Sequence, residues 1–288
     1  MGRGDVSLPI YQAVILGIVQ GLAEFLPISS SAHLTLVPWA LGWEDPGQAF
    51  DVALHWGTLV AVIGFFGRDW IRLIDAALRG LKRGQFFPDD DPNAKLFWLL
   101  VVASVPGALF GFWLNKKAEE GIRSPMVIAG ALALMGLVLL FADRTGAKTR
   151  PLDSLSITDA IQVGLGQALA LIPGVSRSGV TISVGLFRGL DRESIARFSF
   201  LMSTPIIFGA GVVKLPHLVK AMLHGAPAGE VQVGPVALAA GMLVAAIVGY
   251  GSIRWMLAFL KHGSYAVFAT YRVAAALGTI ALYVARGL

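Results

Sequence analysis

The sequence predicts an all-α polytopic membrane protein, with six transmembrane helices and two re-entrant helical hairpins in an inverted-topology repeat. Of the 288 residues, 56% are hydrophobic and 14% are charged, whereas a soluble domain usually carries about 25% charged residues. Six apolar segments are long enough to cross a bilayer as helices, which takes roughly 20 residues. Two further apolar stretches are interrupted by Pro, Gly and clustered serines, and they resemble each other.

The six predicted spans are continuous apolar runs with few charges. Because a backbone in lipid must satisfy its hydrogen bonds internally, these runs are predicted to be helices. They lie near Phe50–Phe66, Leu96–Leu114, Met126–Ala142, Phe198–Val213, Val236–Leu257 and Tyr265–Val284.

The interrupted stretches, 10–42 and 157–190, are predicted to be pairs of short helices. Proline removes a backbone donor and glycine weakens a helix, so a straight span is not expected there. Irregular backbone at membrane depth is tolerated where it is buried in protein or lines a water-filled cavity. Each pair is therefore expected to turn back inside the protein.

The two hairpins indicate an internal repeat. At an offset of 147 residues, segment 16–42 aligns with segment 163–189, and Gln20 and Ser29 meet identical residues. Each copy contains one hairpin and three spans, and this odd number inverts the second copy in the membrane, as in transporters with a midplane site. The copies cover approximately 8–142 and 155–287, within a single membrane domain of residues 1–288.

Charge and composition restrict the function. Fourteen Lys and Arg residues fall on one predicted side and seven on the other, and the positive-inside rule assigns the richer side to the cytoplasm. Both termini would then be outside.

The absence of cysteine excludes disulfides, thiolate metal sites and cysteine catalysis. The net charge of +5 is modest, and no nucleic-acid partner is expected. The seven Lys and Arg residues on the predicted outer side of the membrane are Arg3, Lys116, Lys117, Arg123, Lys214, Lys220 and Arg286.

Polar residues within the hairpins are the candidate functional groups, because ionisable side chains inside a membrane are costly and usually serve function. If the two hairpin tips meet, one pocket contains a carboxylate, an imidazole, a guanidinium and many hydroxyls. That combination suits a phosphate ester or anhydride. The candidates are Gln20, Glu24, Ser29, Ser30, Ser31 and His33 in the first hairpin, and Gln167, Ser176, Arg177, Ser178 and Thr181 in the second.

In the second hairpin, Arg177 is the expected anion receptor, since a guanidinium binds phosphate oxygens in a bidentate manner and keeps its charge. Gly174 and Gly179 are expected to let the backbone approach the anion. A helix starting near Ser176 would direct its free N–H groups at the same place.

In the first hairpin, Gln20 and Glu24 share one helix face, and Glu24 is the candidate ligand for a divalent cation that bridges to pyrophosphate. His33 is suited to act as nucleophile or as general acid and base. Ser30 needs such a base nearby to become a nucleophile.

Structural explanations compete with these roles. Small hydroxyl residues such as Ser29, Ser31 and Ser178 also occur at helix interfaces because they permit close packing. The remaining alternatives are a hydrogen-bonded cross-link between Gln20 and Gln167, a structural ion pair between Glu24 and Arg177, and an interfacial location for Asp51 and His55.

The segments QGLAEFLPISSSAH (20–33) and PGVSRSGVT (173–181) resemble the two signatures of the undecaprenyl pyrophosphate phosphatase family, which is linked with bacitracin resistance. FDVALHWGT (50–58) resembles the segment after the family's first hairpin. The resemblance covers essentially the whole chain. Gln20 stands where many members have Glu, which removes one negative charge from the expected metal site.

The resemblance implies a Mg²⁺- or Ca²⁺-dependent phosphatase that converts a C55 polyprenyl pyrophosphate to its monophosphate. This reaction recycles the lipid carrier of peptidoglycan synthesis, in the bacterial plasma membrane with the site facing the periplasm or exterior. The essential residues carried over are Glu24, Ser30, His33 and Arg177, with His33 favoured as the direct actor and Ser30 orienting or taking the phosphate. Substrate contacts are expected from Arg177, Ser176, Ser178, Thr181, Gly174, Ser29 and Gln20.

Two alternatives compete with this assignment, namely another family of membrane phosphatases and a transporter. The acid-phosphatase type of membrane phosphatase requires a Pro-Ser-Gly-His segment, which this sequence lacks. A flippase that returns the lipid monophosphate would use the same anion site, because broken hairpins in inverted repeats are also transporter architecture. Homo-oligomerisation is left open.

Overall fold

The computed structural model describes residues 7–88, 90–113, 124–224 and 231–288. Within these ranges the chain is almost entirely helical, with two short 3₁₀ turns at Leu152–Ser154 and Leu169–Leu171. The α-helices are α1 (Ile10–Ala23), α2 (Ser30–Leu41), α3 (Gly47–Lys82), α4 (Pro92–Trp113), α5 (Pro125–Thr145), α6 (Ile157–Ala168), α7 (Arg177–Phe187), α8 (Arg192–His224), α9 (Pro235–Leu260) and α10 (Ala266–Ala285).

Six of these helices, α3, α4, α5, α8, α9 and α10, are long and apolar enough to cross a membrane. The predicted set of six spans is thus confirmed. The end of the second predicted span, Leu114, lies outside the described residues, as do Arg3, Lys116, Lys117 and Arg123 of the charge argument.

Helix α3 is much longer than its predicted span, because it continues beyond Phe66 to Lys82 and has 36 residues. At 1.5 Å per residue it is about 54 Å long. Its second half buries Leu73, Ala76 and Ala77 at helical spacing and exposes charged residues on the other side. The continuous apolar run ends near Phe66, so hydrophobicity alone does not predict this amphipathic extension.

The four hairpin helices, α1, α2, α6 and α7, have 14, 12, 12 and 11 residues. Each is too short to cross a bilayer, which takes roughly 20 residues. The turns between them fall where the sequence places Pro27 and Pro173. That each pair re-enters the membrane on one side, and that the second repeat is inverted, remain predictions.

The second helix of each hairpin begins in the same way. Ser29 and Ser176 have positive φ angles of 78° and 72°, which are uncommon and strained for a residue other than glycine. Each hydroxyl oxygen accepts a hydrogen bond from the backbone N–H three residues later, at 3.4 Å and 3.1 Å. The equivalence at offset 147 therefore extends from the sequence to the backbone geometry.

Glycines let each hairpin lie directly against a span. A Cβ on Gly17 would be 2.6 Å from the carbonyl oxygen of Gly241 on α9, and one on Gly21 would be 2.8 Å from the nitrogen of Gly249. Gly164 on α6 meets Ala103 on α4 with similar closeness. Small residues at such crossings allow the backbones to approach, so α1 is held on α9 and α6 on α4.

A buried arginine on α10 joins the two hairpin turns. Arg272 is fully buried, and its guanidinium donates to the carbonyl oxygens of Pro27 at 3.0 Å, Gly174 at 2.7 Å and Val175 at 3.1 Å. Its Nε donates to Leu132 on α5 at 3.3 Å. Hydrogen bonds to a charged group are stronger than neutral ones, so this side chain fixes the first turn relative to the second.

Candidate active site

A cavity of about 280 Å³ lies between the two hairpins, the first turns of α3 and the middle of α8. Apolar residues of α8, Ile206 and Ile207, form part of its wall. Its polar lining comes from both hairpins and from α3 and α8: Glu24, Ser29, Ser30, Ser31, Gln48, Asp51, His55, Ser176, Arg177, Ser178 and Lys214. Most of the residues that the sequence singled out therefore meet at one place.

The Glu24 carboxylate is the centre of the site and is only 6% exposed. Its Oε2 accepts hydrogen bonds from the Ser30 hydroxyl at 2.7 Å and the Gln20 amide at 3.2 Å. His55 Nε2 is 3.4 Å from the same oxygen. The other oxygen, Oε1, accepts from Arg177 Nη2 at 3.1 Å. A buried charge needs partners of this kind, and three of them, Gln20, Ser30 and Arg177, are candidate site residues from the sequence.

Arg177 is held from behind by α8 while it reaches Glu24. Its Nη1 donates to the Ser199 carbonyl oxygen at 2.8 Å. Thr181, one turn further along α7, is hydrogen-bonded to the Ser199 hydroxyl at 2.8 Å. Thr181 therefore supports the position of Arg177 and does not line the cavity. The ion pair between Glu24 and Arg177, which the sequence raised as an alternative, is present.

The N-termini of α2 and α7 converge on the cavity. Ser30 and Arg177 are the first residues of these helices and occupy equivalent positions at offset 147. The Ser178 hydroxyl donates to the Leu26 carbonyl oxygen at 3.3 Å, which links the second hairpin to the first. Free N–H groups and the positive end of the helix dipole make each N-terminus an anion-binding element, and here two such elements meet.

His33 lies away from this cavity. Its Nδ1 donates to the Ser29 carbonyl oxygen at 2.8 Å, and its Nε2 accepts from the Tyr271 hydroxyl at 2.8 Å. The imidazole is also stacked on the Tyr271 ring. Both ring nitrogens are thus engaged by partners that do not line the cavity.

The two signature glycines serve packing. Gly174 has a φ of 94°, and a Cβ there would be 2.8 Å from the Ala131 side chain on α5. A Cβ on Gly179 would be 2.9 Å from the guanidinium of Arg272. Neither lines the cavity. Their role is to leave room for α5 and for Arg272.

The two equivalent glutamines do not bind each other. Gln20 is fully buried behind Glu24, and its amide is also 3.4 Å from the Thr58 hydroxyl. Gln167 packs against Gly107 on α4, and within the described ranges its amide has no hydrogen-bond partner. The cross-link raised as an alternative is therefore not formed.

Sequence reasoning missed the contribution of α3. His55 and Asp51 were expected at the membrane interface, yet both line the cavity, and His55 is beside Glu24. The His55 Nδ1 donates to the Asp51 backbone carbonyl at 2.7 Å, which aims Nε2 at the carboxylate. The signal was available, because FDVALHWGT contains both residues.

The donor set does not suit a divalent cation held by protein side chains alone. In the described part of the chain, no group of three His, Cys, Asp or Glu residues is arranged to bind a metal. Both Glu24 oxygens already accept hydrogen bonds, and position 20 offers a neutral amide. Mg²⁺ in proteins is usually bound by one or two carboxylates together with waters and substrate phosphates.

Residues 13–278 match the family described as Bacitracin resistance protein BacA. The chain belongs to the BacA family. Three curated relatives, each named undecaprenyl-diphosphatase, come from Moorella thermoacetica, Pelotomaculum thermopropionicum and Desulforudis audaxviator; they are 50%, 46% and 43% identical over 276, 279 and 277 residues. These alignments cover 96–97% of this chain and 98–99% of the relatives.

Membership in the BacA family confirms the resemblance found in the two hairpin signatures. Together with the six candidate spans, it identifies this BacA-family chain as an integral membrane protein.

Proposed function

We propose that this BacA-family protein is an undecaprenyl-diphosphatase, which hydrolyses undecaprenyl pyrophosphate to the monophosphate and inorganic phosphate. The observation that carries this proposal is the convergence of Ser30, Glu24, Arg177 and two helix N-termini on one cavity. The curated relatives carry the same activity in their names. The reaction recycles the lipid carrier for cell-wall synthesis, and this role fits a family named for bacitracin resistance.

The second hairpin binds the pyrophosphate group. Arg177 and the N-terminus of α7 provide charge and N–H donors, while Ser176 and Ser178 provide hydroxyls at the cavity wall. The apolar wall at Ile206 and Ile207 suits the first isoprene units of the lipid. Arg177 offers a planar fork of donors that matches two phosphate oxygens.

Residues of the first hairpin and of α3 carry out the chemical step. Ser30 is the nucleophile, since its hydroxyl already donates to the Glu24 carboxylate at 2.7 Å and a serine needs an adjacent base. Its oxygen bonds to the terminal phosphorus as the bridging P–O bond breaks, and Glu24 takes the proton. Water then attacks the phosphoserine, releases inorganic phosphate and restores the hydroxyl. His55, 3.4 Å from Glu24, carries protons to the leaving phosphate and from the water.

Divalent-cation dependence is part of the proposal, with Mg²⁺ or Ca²⁺ neutralising charge on the pyrophosphate. Glu24 is the candidate protein ligand. In the described part of the chain, the side chains by themselves offer too few free ligands to hold the ion.

The proposed location is the bacterial plasma membrane, with the cavity open to the periplasm or exterior. The cavity is lined by residues from the start of α3, such as Asp51, and from the later part of α8, such as Lys214. The arginine-rich segment 68–95 lies beyond the other end of the α3 apolar span. By the positive-inside rule, that segment belongs in the cytoplasm.

Substitutions of the two histidines, His55 and His33, should have very different effects on kcat. His55→Gln is expected to lower kcat by about 10²- to 10³-fold, the range for loss of a general acid–base group. His33→Asn keeps an amide donor for the Ser29 carbonyl, and it should lower kcat by no more than about tenfold without shifting the pH of half-maximal activity. Steady-state kinetics over a pH series measures both. A larger loss in His33→Asn, with a shifted pH profile, would return His33 to the role that the sequence suggested.

The proposed function is tested by phosphate release from undecaprenyl pyrophosphate in detergent, with undecaprenyl monophosphate as the matched substrate. The wild-type protein should release one phosphate from the first and none from the second. If purified protein binds the pyrophosphate lipid without releasing phosphate, hydrolysis is wrong, and reconstitution in vesicles with a leaflet-specific assay of lipid monophosphate would then test the flippase.

A further inference from the structure

Among the described residues that line the cavity, four carry a formal charge at neutral pH. Two are the carboxylates Glu24 and Asp51, and two are the cations Arg177 and Lys214. These charges cancel, whereas one phosphate monoester already carries about 1.5 to 2 negative charges near pH 7, and a pyrophosphate carries more. Without Lys214 the cavity would have a net negative charge and would repel this substrate.

The contacts between α3 and α8 fix the level at which Lys214 lies. Arg197 Nη2, early in α8, is 2.8 Å from Asp69 Oδ1, in the second half of α3. Further along α8, a Cβ on Gly211 would lie 2.6 Å from the indole ring of Trp56, which precedes Asp69 in α3. The two helices are therefore antiparallel, and Lys214 is level with a residue about three places before Trp56.

That level lies between Asp51 and His55 of α3, and both of these side chains line the cavity. His55 Nε2 is 3.4 Å from Glu24 Oε2, where the chemical step is proposed. At 1.5 Å per residue, Lys214 lies about 3 Å nearer to the start of α3 than His55, measured along the helix axis. The flexible four-carbon stem of a lysine bridges a distance of this size, so the ammonium group can contact a substrate that reaches Glu24.

Arg177 occupies a different part of the cavity. Its Nη2 is 3.1 Å from Glu24 Oε1, and its Nη1 donates to the Ser199 carbonyl oxygen at 2.8 Å. These contacts hold the guanidinium beside the carboxylate to which Ser30 donates. The terminal phosphate, which Ser30 attacks, therefore meets Arg177, and the other phosphate extends toward the level of Lys214.

We propose that Lys214 binds the phosphate that remains on the lipid and thereby sets the affinity for the pyrophosphate substrate. This inference rests on the proposed function. Ile206 and Ala210 lie on the same face of α8, at four-residue spacing before Lys214, and line the cavity. An apolar surface for the first isoprene units thus leads directly to the ammonium group, which is a compact charge with three donors. Because the same phosphate stays on the product, Lys214 also binds undecaprenyl monophosphate.

The test is the steady-state kinetics of phosphate release by the full chain in detergent, for wild type, Lys214→Gln and Lys214→Met. Both variants should raise the KM for undecaprenyl pyrophosphate at least about tenfold, because a hydrogen bond to a charged group is lost, and should change kcat less than about threefold. The inhibition constant of undecaprenyl monophosphate should rise by a similar factor. That of inorganic phosphate, which occupies the terminal subsite, should stay unchanged.

Two further variants serve as controls. Lys214→Arg keeps the charge and should restore most of the affinity. Lys261→Gln replaces an exposed lysine just after the end of α9 and should behave as wild type. One comparison needs no variant: in wild type, undecaprenol, which has no phosphate, should inhibit at least about tenfold less tightly than undecaprenyl monophosphate.

An unchanged KM together with unchanged inhibition by the lipid monophosphate, in Lys214→Gln and Lys214→Met, would overturn the inference. So would an equal rise in the inhibition constant of inorganic phosphate, because Lys214 would then serve the terminal phosphate. Equal inhibition of wild type by undecaprenol and the monophosphate would overturn it without any variant. Phosphate release by wild type reports the proposed function separately, since a protein can hydrolyse the lipid with a KM that does not depend on Lys214.

Discussion

Ser30→Ala is expected to lower the rate of phosphate release by at least about 10³-fold, the scale on which loss of a nucleophile acts in enzymes that form covalent intermediates. The hydroxyl is the group that donates to Glu24 at 2.7 Å inside the cavity, and the neighbouring α2 side chains provide no equivalent contact with this carboxylate among the described hydrogen bonds. The measurement is phosphate release at saturating lipid, together with trapping of a phosphorylated protein by rapid acid quench.

Ser31→Ala is the matched control for this variant. Ser31 also lines the cavity, but its hydroxyl pairs with that of Ser29 at 3.3 Å, so a loss of no more than about tenfold is expected. A double-mutant cycle with Glu24→Gln should be strongly non-additive, because a nucleophile and its base act as a unit. If phosphorylated protein is still trapped in the Ser30→Ala variant, the covalent step belongs to another residue.

Arg272→Met should reduce both activity and thermal stability, although Arg272 does not touch the cavity. The change leaves the carbonyl oxygens of Pro27, Gly174 and Val175 without their shared donor. Each buried carbonyl left unpaired costs about 1–3 kcal/mol. Misplacement of the turns relative to each other by about 1 Å can lower a rate by about 10²-fold. We expect losses of that order in kcat, with a lower unfolding temperature in detergent.

Arg272→Lys and Arg144→Met are the two controls for the α10 variant. Lysine keeps the charge and can reach one or two of the carbonyls, so it should recover part of the activity. Arg144 is exposed, and its replacement by methionine should change neither measurement. Wild-type kinetics in Arg272→Met would show that the hairpins are held together by packing alone.

Much of the site was within reach of sequence reasoning because its chemistry is concentrated in two short segments. Glu24, Ser30 and Arg177 stand out as polar residues in apolar surroundings, and the repeat at offset 147 predicts that their hairpins are equivalent. Proline and glycine predict where each hairpin breaks. These signals are local, and each depends on only a few neighbouring residues.

What the sequence could not supply is the direction in which each side chain points. His33 belongs to the signature, but the packing of α2 beside α10 turns its ring to Tyr271 and away from the cavity. His55 lies 31 residues after Glu24 and becomes its neighbour only because α3 passes beside the first hairpin. Arg272 was detectable as a charge within a predicted span, but its carbonyl partners lie far away in sequence.

The hydrogen bonds from Arg272 to both hairpin turns also limit how the lipid can move between the two leaflets. Opening the cavity to the opposite membrane face by separating the hairpins would break hydrogen bonds from one guanidinium to both turns at once. We therefore expect the hairpins to stay together through a catalytic cycle, while substrate and product exchange by lateral diffusion within one leaflet. On this view the dephosphorylated carrier is left in the leaflet where it was bound, and its passage to the other leaflet is a separate event.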